Sequence, residues 1–324
     1  MSRGGRQNPP GVDGFVNLNK APGMTSMDVL RRIKGITGQR HKVGHGGTMD
    51  PLAHGVLPIC FGQATRLMDH LIQGPKGYRM EVHLGVTTTT YDAEGEVVKT
   101  APVGDLTREM VERALPAFIG TIQQIPPMYS AVKIQGQRLY KLARAGIEVD
   151  RQARTVELHD IQIRGFQPPK LVLDVECGRG VYMRSLAHDL GESLGCGGYV
   201  TDLTRLHAGG FRLESAVTLE DLERANASDP AGWQQYLYPV DWVLRGLKSI
   251  SVGRSAEQCL RNGQSISLGR LAPEAAYLER FRAYSTDGRF LALVRFEPSD
   301  NLWRPIKVFH SSAPSPHAPV SAQP

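Results

Sequence analysis

The sequence predicts an α+β protein with a small β-rich unit at its C-terminal end. Stretches of period-2 alternation stand beside stretches of helical spacing, they do not follow the strand–helix rhythm of a doubly wound parallel sheet, and no internal repeat is present. The expected layout is a disordered N-terminus over 1–12, a main domain over 13–245, a small β-domain over 246–310 and a disordered tail over 311–324.

Taken in chain order, the two ends come first. The opening dozen residues and the closing SSAPSPHAPVSAQP are rich in Ser, Pro and Gly and offer nothing to pack. Tyr78, Met80, Val82, Leu84 and Val86 alternate with Arg79, Glu81 and His83, as expected of a strand with one buried face. Leu171, Leu173, Val175 and Cys177 repeat that pattern. After Tyr182 the spacing changes to Met183, Leu186, Ala187, Leu190 and Leu194, an apolar helix stripe that Gly195 would stop. Gly178-Arg179-Gly180 is then a strand-to-helix turn. Beyond residue 245 come four short apolar runs: SISV from Ser249, SISL from Ser265, FLALVRF from Phe290 and IKVF from Ile306. Asn262-Gly263 and Asp287-Gly288 punctuate them as expected hairpin turns.

Composition narrows the function classes. In 324 residues, 41 % are hydrophobic, and no apolar run approaches the roughly 20 residues of a membrane-spanning helix. The formal net charge of +6 suits a polyanionic partner. Cys60, Cys177, Cys196 and Cys259 form no C-x-x-C pair and no disulfide framework, and the N-terminus lacks the apolar core of a signal peptide. The expected setting is a reducing cytoplasm.

The most distinctive stretch runs from Gly44 to Pro58 (GHGGTMDPLAHGVLP). Its glycines at 44, 46, 47 and 55 permit unusual backbone angles and close approach of a ligand, while Pro51 keeps Asp50 out of the helical region. Asp50 is therefore displayed on a loop.

Read together with other blocks, this stretch resembles the TruB family of tRNA pseudouridine-55 synthases. The blocks are KAPGMTS at 20–26, GHGGTMDPLAHGVLPICFGQAT at 44–65, GYRMEVHLG at 77–85, TYDAEG at 90–95, IPPMYSAVK at 125–133 and GRGVYMRSLAHDLGESLGCGG at 178–198. The segment after 245 is similar to a PUA-type RNA-binding domain. The resemblance implies a pseudouridine synthase fold with a mixed, largely antiparallel central sheet flanked by helices and loops. It implies isomerisation of one uridine in the tRNA T-loop, with cleavage of N1–C1′ and rejoining through C5, without metal or other cofactor. The partner is then the T-arm of tRNA, with no obligate protein partner and a monomer as the expected state.

The resemblance also implies roles. Asp50 stands at the family's catalytic aspartate and would attack C1′ or the uracil ring, or assist elimination to a glycal. Arg184 matches the arginine that pairs with it, since a desolvated carboxylate needs a cation to stay charged. Tyr78 matches a tyrosine that stacks on the base and takes part in removing the C5 proton. Leu203 and Tyr182 would wall the base pocket, and His45 would enter the RNA stack in place of the extruded nucleotide. Asp92 would organise the neighbouring loop, and Lys20, Arg66 and Lys133 join the expected substrate-binding set. Phosphate contacts are expected from Arg31, Arg32, Lys34, Arg40 and Lys42, and from Lys133, Arg138, Lys141, Arg144, Arg151 and Arg154. The chain departs from the family pattern at Ala21-Pro22, Met49, His54 and Arg66. Two other readings remain at this point: a hydrolytic glycosidase, which would need a second carboxylate, with Asp28, Asp69 and Asp92 available, or a non-catalytic RNA-binding or folding protein.

Overall fold

The computed structural model describes residues 11–319 except 40, 41, 131, 135, 148, 270 and 271. The chain starts with β1 (Gly14–Lys20), α1 (Ser26–Thr37), β2 (Val43–His45), β3 (His54–Phe61), α2 (Met68–Gln73) and β4 (Lys76–Leu84). A peripheral hairpin of β5 (Val86–Thr88) and β6 (Val97–Thr100) leads through α3 (Arg108–Ala114) to β7 (Gly120–Gln124). A second small hairpin, β8 (Lys133–Ile134) and β9 (Gln137–Arg138), precedes α4 (Leu139–Arg144). Then come β10 (Arg154–Gln167), β11 (Lys170–Cys177), α5 (Met183–Ser193), β12 (Gly198–Ala208), β13 (Phe211–Arg212), α6 (Leu219–Ser228) and β14 (Leu237–Tyr238).

Ten of these strands form one sheet, along the path β14-β1-β3-β12-β4-β11-β10-β7, with β13 on β12 and β2 on β3. Neighbours are antiparallel except β12 and β3, which run parallel with Thr204 opposite His54. The two strands read from their alternation lie side by side at its centre, Tyr78 opposite Val175 and Met80 opposite Leu173. Met80, Val82, Leu84, Leu171, Leu173 and Val175 are buried in the main core. Helix α5 packs on β12 and β4 through Met183, Leu186, Ala187 and Leu190. It ends at Leu194, followed by Gly195 at φ 78°. Thr25 with Asp28, and Thr218 with Asp221, form capping boxes that fix where α1 and α6 begin.

A separate four-stranded sheet follows: β15 (Ser249–Val252), β16 (Arg280–Ser285), β17 (Phe290–Glu297) and β18 (Leu302–Val308), with α7 (Arg254–Arg261) beside it. Asp287-Gly288 lies in the turn between the antiparallel β16 and β17. Asn262-Gly263 does not make a hairpin. Asn262 caps α7, and Gly263, at φ 74°, donates its N–H to the Leu260 carbonyl at 2.9 Å. The positive φ that suits a tight hairpin also suits a helix C-terminus. The run from Ser265 adds only a bridge, Ile266 to Trp303.

The two sheets share an apolar seam. Phe15, Val56 and Phe211 from the first, with Leu71 of α2, pack with Tyr284, Phe290 and Leu293 from the second and with Phe309 just beyond β18. Within the seam the Tyr284 hydroxyl donates to buried Asp241 Oδ2 at 2.6 Å, and Ser315 Oγ donates to the same oxygen at 2.6 Å. The expectation of a disordered tail therefore fails for residues 311–319. Pro314 bridges to Arg289, and the His317 carbonyl lies 3.4 Å from Arg282 Nη1. A backbone in turns with Ser and Pro packs here because the seam offers it hydrogen-bonding groups. Residues 1–10 and 320–324 lie outside the described residues.

Candidate active site

Two sequence blocks far apart in the chain cooperate to place Asp50. Ser26 Oγ accepts from the Met49 N–H at 2.9 Å, the Gly23 N–H donates to the Pro51 carbonyl at 2.8 Å, and Lys20 Nζ donates to the same carbonyl at 3.2 Å. Met49 is buried in the main core. The loop is thus held on both sides of Asp50, which keeps 36 % of its side chain exposed. Lys20 itself is fully buried, with its second bond to the Ala21 carbonyl at 2.9 Å. Burial lowers its pKa to about 8, with Asp50 pulling the other way. Expected among the substrate-binding residues, it has no exposed surface and bonds the loop from beneath.

Arg184 sits in the first turn of α5, and its position off the apolar stripe suggested a cleft-facing side chain; it is instead 5 % exposed. Its Nη2 donates to Asp50 Oδ1 at 2.9 Å and to the Tyr129 carbonyl at 2.8 Å. Nη1 donates to the Thr90 carbonyl at 3.2 Å and lies 3.2 Å from Asp92 Oδ2. Asp92 is buried, with Oδ1 accepting from the Thr90 hydroxyl and from the Glu94 N–H. One guanidinium therefore joins α5, the Asp50 loop, the TYDAEG turn and the segment before β8. Gln124, at the end of β7, fixes the start of α5. Its Oε1 accepts from the Tyr182 N–H at 2.8 Å and its Nε2 donates to the Tyr182 carbonyl at 3.0 Å. Burial raises the pKa of Asp50, as does the nearby Asp92, while Arg184 pulls it down; the net direction is upward.

Asp50 forms part of the wall of a 290 Å3 cavity that Tyr78, Tyr182, Leu203, Lys76 and Arg205 also line. Tyr78 packs its ring on the main core while presenting itself to this space, so its structural and site readings hold together. Burial raises its pKa, against the pull of Arg205. Leu203 and Arg205 project to one side of β12, between two bulges at Val200/Asp202 and Arg205/His207 that re-aim the strand. Asp50 is the one carboxylate among the described residues that line the cavity. No cluster of metal-ligating side chains occurs among the described residues. The arrangement offers an anion on the wall, a buried cation behind it and an aromatic ring beside it.

Lys76 and Arg205 were not singled out from sequence. Lys76 Nζ is held by the Ile72 and Gly74 carbonyls at 2.8 Å each, and burial lowers its pKa to about 8. Both residues sit on strands with ordinary-looking alternation, where a cation reads as solvent-facing. The signal available was position alone, since each is within two residues of Tyr78 or Leu203.

The other expected residues either do not line the cavity or lie outside the described residues. His45, half-buried on β2, does not line the cavity, and burial with the charge of Arg205 lowers its pKa. Arg66 donates to the Val308 carbonyl and lies over the Phe309 ring, 5.2 Å from its centroid. It staples the second sheet to the first rather than facing the cleft, because a planar guanidinium suits both an aromatic face and a carbonyl. Lys133 is in β8, and its side chain, like those of Arg138 and Arg144, lies outside the described residues, as does Arg40. Of the first basic stretch, Arg31 pairs with Asp28 and Arg32 with Glu223.

Gly55 has φ 100°, and a Cβ there would stand 2.4 Å from the Arg205 carbonyl oxygen. Gly55→Ala must both strain the backbone and push β3 from β12. The expected cost is about 2–4 kcal/mol, read as a lower urea midpoint at unchanged slope. An unchanged midpoint would show that the strands do not need this approach.

The N-terminal domain model of the TruB family pseudouridylate synthases matches residues 32–183, and the C-terminal domain model of tRNA pseudouridylate synthase B matches 184–245. A protein of Dehalococcoides mccartyi named tRNA pseudouridine synthase B is 43 % identical over 95 % of this chain and 100 % of its own length. One of the same name from Thiobacillus denitrificans is 44 % identical over 88 % of this chain and 93 % of its own. Among solved structures, a Cbf5-Nop10-Gar1 complex contains a chain with TM-score 0.70 and 25 % identity, covering 93 % of this chain and 85 % of that one.

Proposed function

The chain belongs to the TruB family of pseudouridylate synthases, and from that membership we propose that it converts uridine to pseudouridine at nucleotide 55 of tRNA, in the T-loop. The observation that carries this reading is the Asp50 carboxylate on the cavity wall, bonded to a buried Arg184, with Tyr78 lining the same space. Such a cavity, at the low end of small-ligand sites, suits one nucleoside swung out of its helix. Asp50 supplies the negative charge needed when N1–C1′ breaks, Tyr78 stacks on the base and takes the C5 proton, and Leu203 and Tyr182 hold the base edge. His45 fills the place the nucleotide leaves, and the C-terminal sheet adds RNA-binding surface as a PUA-like domain. The lack of a second carboxylate on the described cavity wall disfavours hydrolysis by an activated water.

A T-arm stem-loop labelled with tritium at uracil C5 tests the reaction. Release of tritium to water with the base retained on the RNA is expected. Free uracil would make the protein a glycosylase, and binding without release would leave an RNA-folding protein. Affinity for that RNA is expected to fall at least about tenfold between ~50 and ~200 mM salt, because phosphate contacts release counterions. A flat response, measured by filter binding, would contradict an electrostatic RNA interface.

A further inference from the structure

Arg205 is 1 % exposed, lies opposite Tyr78 in the β12–β4 register and lines the cavity that holds Asp50. Its Nε donates to the Val56 carbonyl at 2.6 Å, but its buried Nη2 has no hydrogen-bond partner. Among the described residues it forms no ion pair with a carboxylate. Its charge makes Lys20, Lys76 and His45 less willing to carry a proton, and by charge and side-chain hydrogen bonding it favours the ionised form of the Tyr78 hydroxyl. The other three buried cations around the site have partners of their own, Lys20 in the Ala21 and Pro51 carbonyls. Arg184 has two carboxylates, and Lys76 has carbonyl oxygens. Arg184 also leaves its Nε unpartnered, but among these cations Arg205 alone combines an unused buried donor with the lack of any carboxylate partner, a costly arrangement unless an anion arrives from outside.

Resting on the reaction proposed above, we infer that Arg205 stabilises the uracil while it is detached from the sugar. When N1–C1′ breaks, its electron pair leaves with the base, which becomes an anion spread over N1 and its carbonyl oxygens. Meanwhile Asp50 holds C1′ as an ester, or holds the C2′ proton beside a glycal; rejoining breaks that ester, or returns that proton, as a base electron pair forms C5–C1′, and the C5 proton then leaves while N1 regains one, so charge and atoms balance. Between these events the cavity holds a free anionic base. Asp50, esterified or protonated at that stage, is neutral, and Arg205 beside Tyr78 is the fixed charge that favours the anion and keeps it from escaping. The depth of Arg205 in the fold, opposite Tyr78, places it with the base rather than with a phosphate at the mouth.

The test uses the full chain and two T-arm RNAs, one with uridine and one with 5-fluorouridine at the target position. Fluorine makes the departing base a more stable anion, so it needs less help. Single-turnover loss of the N-linked nucleoside is measured for wild type, Arg205→Met and Arg205→Lys, with thermal melts alongside. Arg205→Met is expected to slow cleavage of the uridine RNA about 10²-fold, and that of the fluorinated RNA several-fold less. Arg205→Lys, which keeps the charge but also loses the Val56 bond, is expected to recover most of the rate. Equal deficits on both RNAs overturn the inference, as does a loss confined to RNA affinity, which would assign Arg205 to the phosphate backbone. If the Met variant fails to fold, the same comparison on Arg205→Gln, which removes the charge but keeps a donor, decides by the same criterion. Wild type that makes no pseudouridine from the uridine RNA would refute the reaction itself, whereas active wild type with a uniform deficit refutes only the role of Arg205.

Discussion

Asp50→Asn is expected to lower pseudouridine formation by at least about 10⁴-fold while leaving RNA affinity within about threefold of wild type. The amide is nearly the same size, so the loop held by Lys20, Ser26 and Gly23 should keep its shape. What disappears is the negative charge that acts at the sugar or the ring, and with it the step that splits the barrier. The sign of the stability change follows from the raised pKa of Asp50. A carboxylate whose folded pKa lies above its unfolded one favours folding only while protonated, and that contribution is lost as pH rises through the folded value. At neutral pH the native state therefore bears a cost for ionising Asp50, which Asn does not share. The Asn variant should melt within about 1 kcal/mol of wild type, its lost bond to Arg184 roughly offset. Tritium release in single turnover, beside a melt at pH 7, checks both halves. Near-normal turnover removes Asp50 from the chemistry, and a large fall in stability would mean that the loss of rate was structural.

How far the sequence foretold this site depends on whether a residue's partners are near it in the chain. The alternation around Tyr78 and around Leu173 and the stripe of α5 were legible, because a strand or helix with one buried face writes its period locally. The burial of Arg184 was not. Helical spacing placed it off the apolar stripe, and the groups that bury it come from Asp50, Thr90, Asp92 and Tyr129, remote in sequence. Arg66 was misplaced for a similar reason, since Phe309 and Val308 belong to a sheet more than two hundred residues later. Asn262-Gly263 failed differently: its local backbone preference was read correctly, but it closes a mostly polar helix, α7, that hydrophobic patterning does not mark. The tail was read from composition alone, which carries no information about the carboxylate of Asp241 waiting in the seam.

Arg184→Met should be the second most damaging change to the chemistry and the most damaging to the fold. Asp92 is 2 % exposed on its side chain and has no other cation paired with it among the described residues. Removing Arg184 leaves it buried without compensation, and breaking a buried pair in this way costs about 3–5 kcal/mol. Asp50 keeps more water and loses less stability, but its proton affinity must rise further, because the guanidinium is the largest influence holding it down against burial. Activity requires the ionised form, so the rate is expected to fall as pH drops through the folded pKa of Asp50. That limb already lies above the ordinary carboxylate range in wild type, and in Arg184→Met it should move to still higher pH. At neutral pH kcat is expected to drop about 10²–10³-fold, as when a fixed charge aimed at the reacting group is removed, with little change in RNA affinity. A pH–rate profile of single-turnover tritium release, taken where the variant is folded, separates this account from simple damage. Damage scales the whole profile down without moving its acid limb, whereas loss of the cation beside Asp50 shifts the limb. An unmoved limb, or a defect seen only in KM, would show that Arg184 supports the loop and not the charge on Asp50.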